Sequence, residues 1–453
     1  MLTYELKKAP GVPLYEALYR CIRSDILGGK LRPGEKLPSK RSLAENLEVS
    51  KITVEAAYEQ LLSEGFIHSV QKVGYFVEAV ERREPQPAAS APMPADEKPL
   101  VDLTGGTGHF PFSVWSKLQR EIMLDYGEKL LLPMPNQGIY ELRQAISKHL
   151  ADFRGMHIPP ENILIGAGTD FLCNLLIQLL GRDKTYAVEE PGYGKIRSIY
   201  HSCGVPCIGA AMDSLGVCPD GLKNAQILHF SPSHHFPSGL VTGVARRMEL
   251  LDWAAAQADR FIIEDDYDSE FRFNAHPMPT MECLDRAGRV IYMNTFSKTL
   301  APSIRISYLA LPGALMEQFR ERLGFYSCTV PSFEQYTLAR FLSRGHFEKH
   351  INRMRKAYRT TRNRVVQVLQ NCPFGSKLTI LEQDAGLHFI VKVDSALSDR
   401  ELAQKCAQAG IRIRALSDYY HRAETTDTGS LVVNYGGLKD ADIDRLERIL
   451  DAL

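Results

Sequence analysis

The sequence lacks three features that would classify it quickly: an excess of charge, a long hydrophobic run and a dense set of cysteines. Its 54 basic and 54 acidic residues cancel, so any surface for nucleic acid or membrane must be local. It contains no run of about 18 apolar residues, and its beginning lacks the apolar core of a signal peptide. We therefore expect neither a membrane-spanning segment nor secretion.

The nine cysteines form neither a disulfide framework nor a zinc-binding pattern, because their number is odd and only Cys203 and Cys207 are close in sequence. We interpret them as reduced thiols of a cytoplasmic protein. His346 and His350 stand four residues apart, as zinc-binding pairs on helices do, but no third ligand accompanies them. We therefore expect no metal.

The 453 residues suffice for two or three domains. Residues 80–99 are rich in proline, alanine and charge and have no apolar periodicity, which is typical of a linker. We predict a small domain at 1–79, this linker, and a large domain at 100–453.

The small domain has the pattern of three helices followed by a β-hairpin. Apolar residues recur every four positions from Leu14 to Ile26, and two glycines follow. A short helix is predicted after Ser39 and a longer one from Ser50 to Gly65, since serine is a preferred N-cap. Residues 66–78 predict two short strands. This is the order of a winged helix, an α+β fold whose third helix enters the DNA major groove.

Small or cationic side chains concentrate where such a domain would meet DNA. From the first turn of the third helix they can reach base edges, and from the second helix and the hairpin tip they can reach phosphates. The candidates are Ser39, Lys40, Arg41, Ser50, Lys51, Thr53, Lys72 and Gly74. A small helical dimerisation domain is the alternative, because the segment's charges nearly cancel. However, the run PGEKLPSKRSLA at 33–44 resembles the hallmark PGxxLPSxRxLA of GntR-type winged helices, which implies a double-stranded DNA operator.

The large domain alternates short apolar runs with longer helical patterns. The runs are NILIG, TYAVE, QILHF, RFIIED and RVIYM. Such alternation predicts βαβ units around a mainly parallel sheet. Ligand sites in these α/β folds lie beyond the carboxyl ends of the strands.

One lysine follows such a strand and has polar groups nearby in the sequence that suit a phosphate. Lys298 has two hydroxyls and a guanidinium nearby, on Thr295, Ser297 and Arg305, which suit a phosphate. Asp265 ends the strand RFIIED, and Tyr267 follows it. A lysine for a Schiff base, a carboxylate for a pyridine nitrogen and a hydroxyl for a ring oxygen are what pyridoxal 5'-phosphate needs.

Two further segments complete this set. Gly168 and Thr169 lie between the strand NILIG and a helix, where backbone N–H groups can hold a phosphate. Tyr193 lies in a turn after another strand, where its ring can stack on the cofactor. Each feature alone is more often ordinary structure, such as a cap or a packed turn. Together at strand ends they predict a pyridoxal-phosphate site.

With these residues, 100–453 resembles a fold type I aminotransferase domain, and the whole chain resembles the MocR/GabR family of regulators. Further matching stretches lie at 135–146, 230–239 and 263–273. The resemblance implies a multidomain protein: a winged helix, a large α/β fold type I domain that binds pyridoxal phosphate, and a smaller C-terminal α/β subdomain. It also implies a head-to-tail, domain-swapped homodimer with a small amino compound as effector.

Three departures bear on the ligand. Phe236 stands where aminotransferases have the asparagine of an NPTG turn, which argues against full transaminase activity. Lys195 and Asp418 occupy regions where GABA-responsive relatives have carboxylate-binding arginines, which argues against GABA.

We therefore expect a DNA-binding regulator that senses an amino compound through a Schiff base at Lys298. Two alternatives stay open: a working aminotransferase that carries a DNA-binding domain, and a regulator that senses pyridoxal phosphate itself.

Overall fold

The computed structural model describes Tyr4 and residues 13–79, 101–106, 108–272, 278–381, 386–421 and 429–452. The predicted linker lies outside these ranges. The chain divides into two compact units, Met1–Asp96 and Glu97–Leu453. The exact domain ends that we expect from the sequence stay predictions.

The first unit has three helices and a hairpin, in the predicted order. Its elements are α1 (Leu14–Leu27), α2 (Lys40–Asn46), α3 (Lys51–Ser63), β1 (Ile67–Val70) and β2 (Gly74–Val77). The two strands pair antiparallel. The predicted caps are present, since Ser39 Oγ accepts from the Ser42 N–H and Ser50 Oγ accepts from the Thr53 N–H, each at 3.1 Å. A serine oxygen at this position satisfies an N–H that has no partner within the helix.

The core of this unit lies between α1 and α3. Leu18, Ile22, Val54 and Leu61 are fully buried in it. Leu18 and Ile22 are four residues apart and Val54 and Leu61 are seven apart, and both spacings place side chains on one helix face. The apolar pattern of the sequence therefore explains the packing.

The second unit contains helices α4–α14 and strands β3–β16. The helices are α4 (Phe112–Tyr126), α5 (Tyr140–Arg154), α6 (Thr169–Leu180), α7 (Gly194–Ser202), α8 (Val244–Ala255), α9 (Met281–Leu284), α10 (Gly313–Leu323), α11 (Ser332–Ser343), α12 (His346–Asn371), α13 (Asp399–Gln408) and α14 (Asp440–Asp451). The strands are β3 (Val101–Asp102), β4 (Ile163–Gly166), β5 (Tyr186–Glu190), β6 (Cys207–Asp213), β7 (Gly216–Val217), β8 (Ile227–Phe230), β9 (Phe261–Asp265), β10 (Val290–Thr295), β11 (Ser307–Ala310), β12 (Leu378–Leu381), β13 (His388–Val393), β14 (Ile411–Arg412), β15 (Arg414–Ala415) and β16 (Ser430–Asn434).

An eight-stranded sheet forms the centre of this unit, in the order β4-β11-β10-β9-β8-β5-β6-β7. The neighbours from β10 to β6 are parallel, whereas β11 runs antiparallel to both β4 and β10. The five predicted apolar runs are β4, β5, β8, β9 and β10, which confirms the predicted mainly parallel sheet. Apolar clusters cover both of its faces, as parallel sheets require.

A second, smaller sheet lies toward the C-terminus, in the order β12-β13-β16-β15, with antiparallel pairing throughout. It corresponds to the smaller C-terminal α/β subdomain of the prediction. None of the helices within the described ranges is both long and apolar enough to cross a bilayer.

Candidate functional site: a pocket at the carboxyl edge of the sheet and a helix face

A pocket of about 470 Å³ lies at the carboxyl edge of the large sheet. It is lined by residues that directly follow β4, β5, β9 and β10, and by Arg305, just before β11. Because β11 runs antiparallel, its start lies at the same edge as the ends of its neighbours. The structure thus brings these predicted residues to one pocket: Thr169, Tyr193, Asp265, Tyr267, Thr295, Ser297, Lys298 and Arg305.

Lys298 and Asp265 are both available for a ligand. Within the described residues, Lys298 makes neither a hydrogen bond nor an ion pair, and Asp265 Oδ1 is buried without a partner. The next residue, Asp266, points elsewhere: its Oδ2 accepts from Tyr292 Oη at 2.6 Å and lies 2.9 Å from Arg154. The two carboxylates therefore have different surroundings, and Asp265 Oδ1 remains a buried acceptor for a donor in the pocket.

Two residues behind Asp265 were missed by the sequence analysis. His229 Nε2 lies 3.5 Å from Asp265 Oδ2, and its Nδ1 lies 2.6 Å from Tyr200 Oη. If Tyr200 donates to Nδ1, the imidazole carries its proton on Nε2 and faces the carboxylate with it. A histidine inside the apolar run QILHF was the available signal, because a buried strand rarely carries an imidazole without a partner.

The predicted anion cradle lies at the amino end of α6. Gly168 precedes it with a φ of 91°, and no side chain caps the helix, so its first N–H groups are free for an anion. A Cβ on Gly168 would lie 2.3 Å from Arg305 Nη2. Only glycine therefore permits the guanidinium to lie directly against this turn.

Asp170 forms ion pairs with two cations at the amino end of α6. Its carboxylate lies 2.8 Å from Lys195 Nζ and 3.2 Å from Arg305 Nη2. Partial burial tends to raise the pKa of Asp170, but the bonds and charges of Lys195 and Arg305 outweigh this and lower it. One carboxylate between two cations leaves the cradle net positive.

Thr295 and Ser297 have different hydrogen-bonding roles. Thr295 Oγ1 donates to Ser297 Oγ at 3.0 Å and accepts from Ser307 Oγ at 2.8 Å. The Thr295 hydrogen is thus already used, whereas the Ser297 hydroxyl remains a donor beside the pocket.

Aromatic rings form the mouth of the pocket. Tyr193 is half exposed, and its ring centre lies 5.8 Å from that of Phe236 at a right angle. Phe236 also contacts Tyr419 and His388, with ring centres 5.2 and 4.9 Å away. The side chain that replaces the aminotransferase asparagine is thus packed among rings and offers no hydrogen-bond donor.

The histidine pair of α12 does not converge on a common ligand. His350 Nε2 lies 2.8 Å from the Thr299 carbonyl oxygen, a normal hydrogen bond. A tighter group, His234, Asp268 and His388, is buried beside the pocket, with potential ligand atoms within 4.8 Å of one another. The sequence analysis missed it, and our expectation of no metal stays a prediction.

On the first unit, the predicted DNA-binding side chains divide into free and paired groups. Lys51 is exposed at the start of α3, beside Ile52, which is 77% exposed. Lys40 is mostly buried and lies 2.7 Å from Glu55, and Arg41 lies 2.9 Å from Glu45. Lys51 is therefore the freer cation, and Ile52 is an exposed apolar residue that the sequence analysis did not single out.

The remaining predicted DNA contacts lie at the helix caps and the hairpin. The hydroxyls of Ser50 and Thr53 bond each other at 2.8 Å at the start of α3. Lys72 is exposed at the hairpin tip with a φ of 63°, and Gly74 has a φ of 140°. A Cβ at Gly74 would lie 3.1 Å from Lys36 Cε, so glycine admits a second cation beside the hairpin turn.

Comparison with known proteins identifies both units. Residues 14–77 match the family of bacterial regulatory proteins described as the gntR family. Over 98% of this chain and 97% of the relative, the sequence is 37% identical to the HTH-type transcriptional regulator YdeL of Bacillus subtilis. It is 31% identical to the probable rhizopine catabolism regulatory protein MocR of Rhizobium meliloti, over 92% of this chain and 89% of that one.

A third relative is the HTH-type pyridoxine biosynthesis transcriptional regulator PdxR of Corynebacterium glutamicum, 31% identical over 88% of this chain and 87% of its own. Among solved structures, an archaeal alanine:glyoxylate aminotransferase superposes with a TM-score of 0.69, over 78% of this chain and 90% of that one. At 21% identity this likeness concerns the fold alone. The predicted winged helix and fold type I architecture are confirmed.

Proposed function

Because this chain belongs to the MocR-type branch of the gntR family of bacterial regulatory proteins, we propose that it is a DNA-binding transcription regulator whose pocket binds pyridoxal phosphate and senses an amino compound. DNA binding and regulation follow from the family. The cofactor, the effector and the residues that hold them are our proposal. The observation that carries it is the buried, unpartnered oxygen of Asp265 in a pocket with an unpaired lysine.

The donor set fits pyridoxal phosphate at each of its polar groups. Asp265 Oδ1 suits the pyridine nitrogen, and the Tyr267 hydroxyl suits the ring oxygen. The phosphate would lie at the start of α6, within reach of Arg305 and Ser297. We assign Thr295 a supporting role, because its hydroxyl already orients Ser297. The bound cofactor would supply a carbonyl carbon for amines and a ring that accepts electrons.

The protein's own residues would bind and orient this group. Lys298 supplies the amine that attaches it, and a carboxylate at Asp265 favours a proton on the pyridine nitrogen. Tyr193, which lines the pocket, would stack on the ring and limit access of water. An incoming amine would compete with the Lys298 amine for the same carbon. Such competition alters DNA binding only if the amine favours one arrangement of the regulator over another.

The charges near the pocket also bear on the effector. Lys195 is held by Asp170 at 2.8 Å, and Asp418 lies 3.2 Å from Arg400. Neither the lysine nor the acid is unpaired, so an amino acid's carboxylate would have to displace an existing ion pair. This supports the expectation that GABA is a poor effector.

A direct test compares Lys298→Ala with the remote, exposed control Lys223→Ala. We expect the visible absorbance of bound pyridoxal phosphate to disappear only in Lys298→Ala, while circular dichroism stays unchanged in both variants. Operator binding, followed by mobility shift, should respond to amines in the control alone. An unchanged spectrum in Lys298→Ala would show that the lysine assignment is wrong.

The proposed homodimer is supported by exposed apolar side chains on the second unit. These are Phe112, Leu124, Leu131, Leu132 and Phe325, each more than 60% exposed. Such side chains favour a covering partner. Sedimentation velocity of the full chain measures the state, and a monomer at micromolar concentration would contradict the head-to-tail, domain-swapped arrangement.

A cofactor-sensing regulator is the second candidate, and the likeness to PdxR favours it. In that case operator affinity would change on adding pyridoxal phosphate without any amine. The aminotransferase alternative predicts multiple-turnover formation of keto acid by the purified protein. The same mobility-shift and product assays therefore separate all three functions.

A further inference from the structure

A buried hydrogen-bonded pair lies behind Tyr267. His234, in the loop after β8, has its Nδ1 2.9 Å from Asp268 Oδ2 and 3.2 Å from Oδ1. The same Nδ1 lies 3.3 Å from Tyr267 Oη. Both members of the pair are buried, whereas Tyr267 lines the pocket.

The carboxylate indicates which nitrogen of His234 carries a proton. An ionised carboxylate only accepts hydrogen bonds, so the His234 nitrogen that faces Asp268 must carry its proton. That nitrogen then has no lone pair for the Tyr267 hydroxyl and can only share its N–H with the phenolic oxygen. The hydroxyl proton of Tyr267 is consequently left to point toward the pocket. Burial, followed by the charges of Asp268 and Asp265, raises the pKa of Tyr267 well above its usual value and keeps that proton in place.

The position of Phe236 leaves Tyr267 without a second donor beside it. Phe236 occupies the place of the aminotransferase asparagine and has no donor, so Tyr267 is the donor that remains from these two positions. We propose that Asp268 and His234 are positioning residues that hold Tyr267 as the hydrogen-bond donor to the ring oxygen of the cofactor. The inference rests on the proposed binding of pyridoxal phosphate.

Gly386, beside β13, fits tightly against the same pair. A Cβ at this glycine would lie 1.9 Å from His234 Cε1 and 2.7 Å from Asp268 Oδ2. Its backbone is tied by the Tyr435 hydroxyl, which donates to the Gly386 carbonyl at 2.5 Å. The glycine therefore limits the positions that the imidazole can take.

The first test replaces His234 by two amide side chains of equal polarity. The amide nitrogen of asparagine takes the place of Nδ1, whereas that of glutamine takes the place of Nε2. A hydrogen bond to the ring oxygen stabilises the chromophore that has lost a proton. Its loss should therefore raise the pH midpoint of the visible band by about one pH unit in His234→Gln. His234→Asn should keep the wild-type midpoint.

Coupling to Tyr267 distinguishes positioning from a general disturbance. Tyr267→Phe alone should raise the midpoint at least as far, and adding His234→Gln to it should change nothing further. The Tyr267→Phe variant keeps the charged and titratable groups around this site. They are the acids beside Tyr267, namely Asp265, Asp266, Asp268 and Glu189, and the groups beside His388, namely His234, His235 and Lys298. An undiminished shift in the double variant would overturn the proposal.

Gly386→Ala supplies an independent variant, and Gly288→Ala is its control. Both glycines have a φ near 67°, but a Cβ at Gly288 would meet only Pro312 Cβ at 3.9 Å. We expect the raised midpoint in Gly386→Ala alone. Equal behaviour of the two variants would contradict the role of the pair.

A measurement on the cofactor-free full chain separates this proposal from the proposed function. Nitrogen NMR of labelled histidine, with His234 assigned by its loss in His234→Asn, should report a proton on Nδ1. A proton on Nε2 alone, or a stoichiometric metal ion detected on His234 in the purified protein, would contradict the proposed role of His234 and Asp268. Absence of the visible band in the wild type would instead refute cofactor binding and leave the NMR result standing.

Discussion

At the scale of single residues, position relative to the pocket distinguishes neighbours that look alike in sequence. Asp265 and Asp266 are adjacent carboxylates, and each has a buried Oδ1 without a partner. Only Asp265 lines the pocket, however, whereas Asp266 Oδ2 accepts from Tyr292 and pairs with Arg154. A buried acceptor without a partner is costly, and a ligand donor removes that cost. The chemistry of the pocket therefore depends on Asp265 at the end of β9, and not on the carboxylate that follows it.

The variant Asp265→Asn tests this dependence. A charge-assisted hydrogen bond contributes about 1.5 to 3 kcal/mol, so affinity for pyridoxal phosphate should fall about 10- to 100-fold. Spectrophotometric titration of the cofactor-free protein measures it, with the exposed Asp252→Asn on α8 as control. Unaltered affinity in Asp265→Asn would show that the pyridine nitrogen lies elsewhere.

Substitutions of Lys51 and Ile52 test the predicted DNA contacts at the start of α3. We expect Lys51 to contact a phosphate, so Lys51→Ala should weaken binding to all sequences and reduce the salt slope by about one. Because we expect the exposed Ile52 side chain to contact base edges, Ile52→Ala should weaken operator binding more than non-specific binding. Fluorescence anisotropy across salt concentrations measures both, with exposed Lys30→Ala on the same unit as control. Equal losses on operator and random DNA in Ile52→Ala would exclude base contact.

At the scale of helices and strands, much follows from the sequence. Period-four apolar positions predicted α1, and serine caps marked where α2 and α3 begin. The apolar runs predicted the strands, and their carboxyl ends predicted the pocket. The side-chain partners did not follow, because they lie far apart in the chain: His234 and Asp268 are 34 residues apart, and His229 and Tyr200 are 29 apart.

The cap at Ser50 is the element-scale prediction. Ser50→Ala removes the side-chain acceptor for the Thr53 N–H and should destabilise α3 by about 1 kcal/mol. Hydrogen exchange of α3 amides in the full chain should accelerate about fivefold. Ser63→Ala, whose hydroxyl bonds the Gln60 carbonyl at the other end of the helix, is the control. If both variants exchange alike, the cap does not control the start of the helix.

At the scale of the whole molecule, the large unit buries neutral imidazoles close to its pocket. Burial lowers the pKa of His235 to about 4 and that of His388 well below its usual value. His235 Nε2 donates to the Pro191 carbonyl at 2.9 Å, and its Nδ1 accepts from Ser238 Oγ at 2.6 Å. The neutral ring thus ties the loop after β8 to the turn that carries Tyr193.

These imidazoles should make stability depend on pH. The unfolded chain takes up their protons near pH 6.5, about the free histidine pKa, while the folded chain takes up the His235 proton only near pH 4. Their stabilisation is therefore complete above about pH 6.5 and is lost as the pH falls toward 4, by about 1.4 kcal/mol per unit and histidine at most. Urea unfolding at pH 7.5 and 5 measures the loss. His235→Gln keeps a donor for Pro191 and should flatten the dependence, whereas the exposed His201→Gln should not. An equal slope in both variants would place the proton uptake elsewhere.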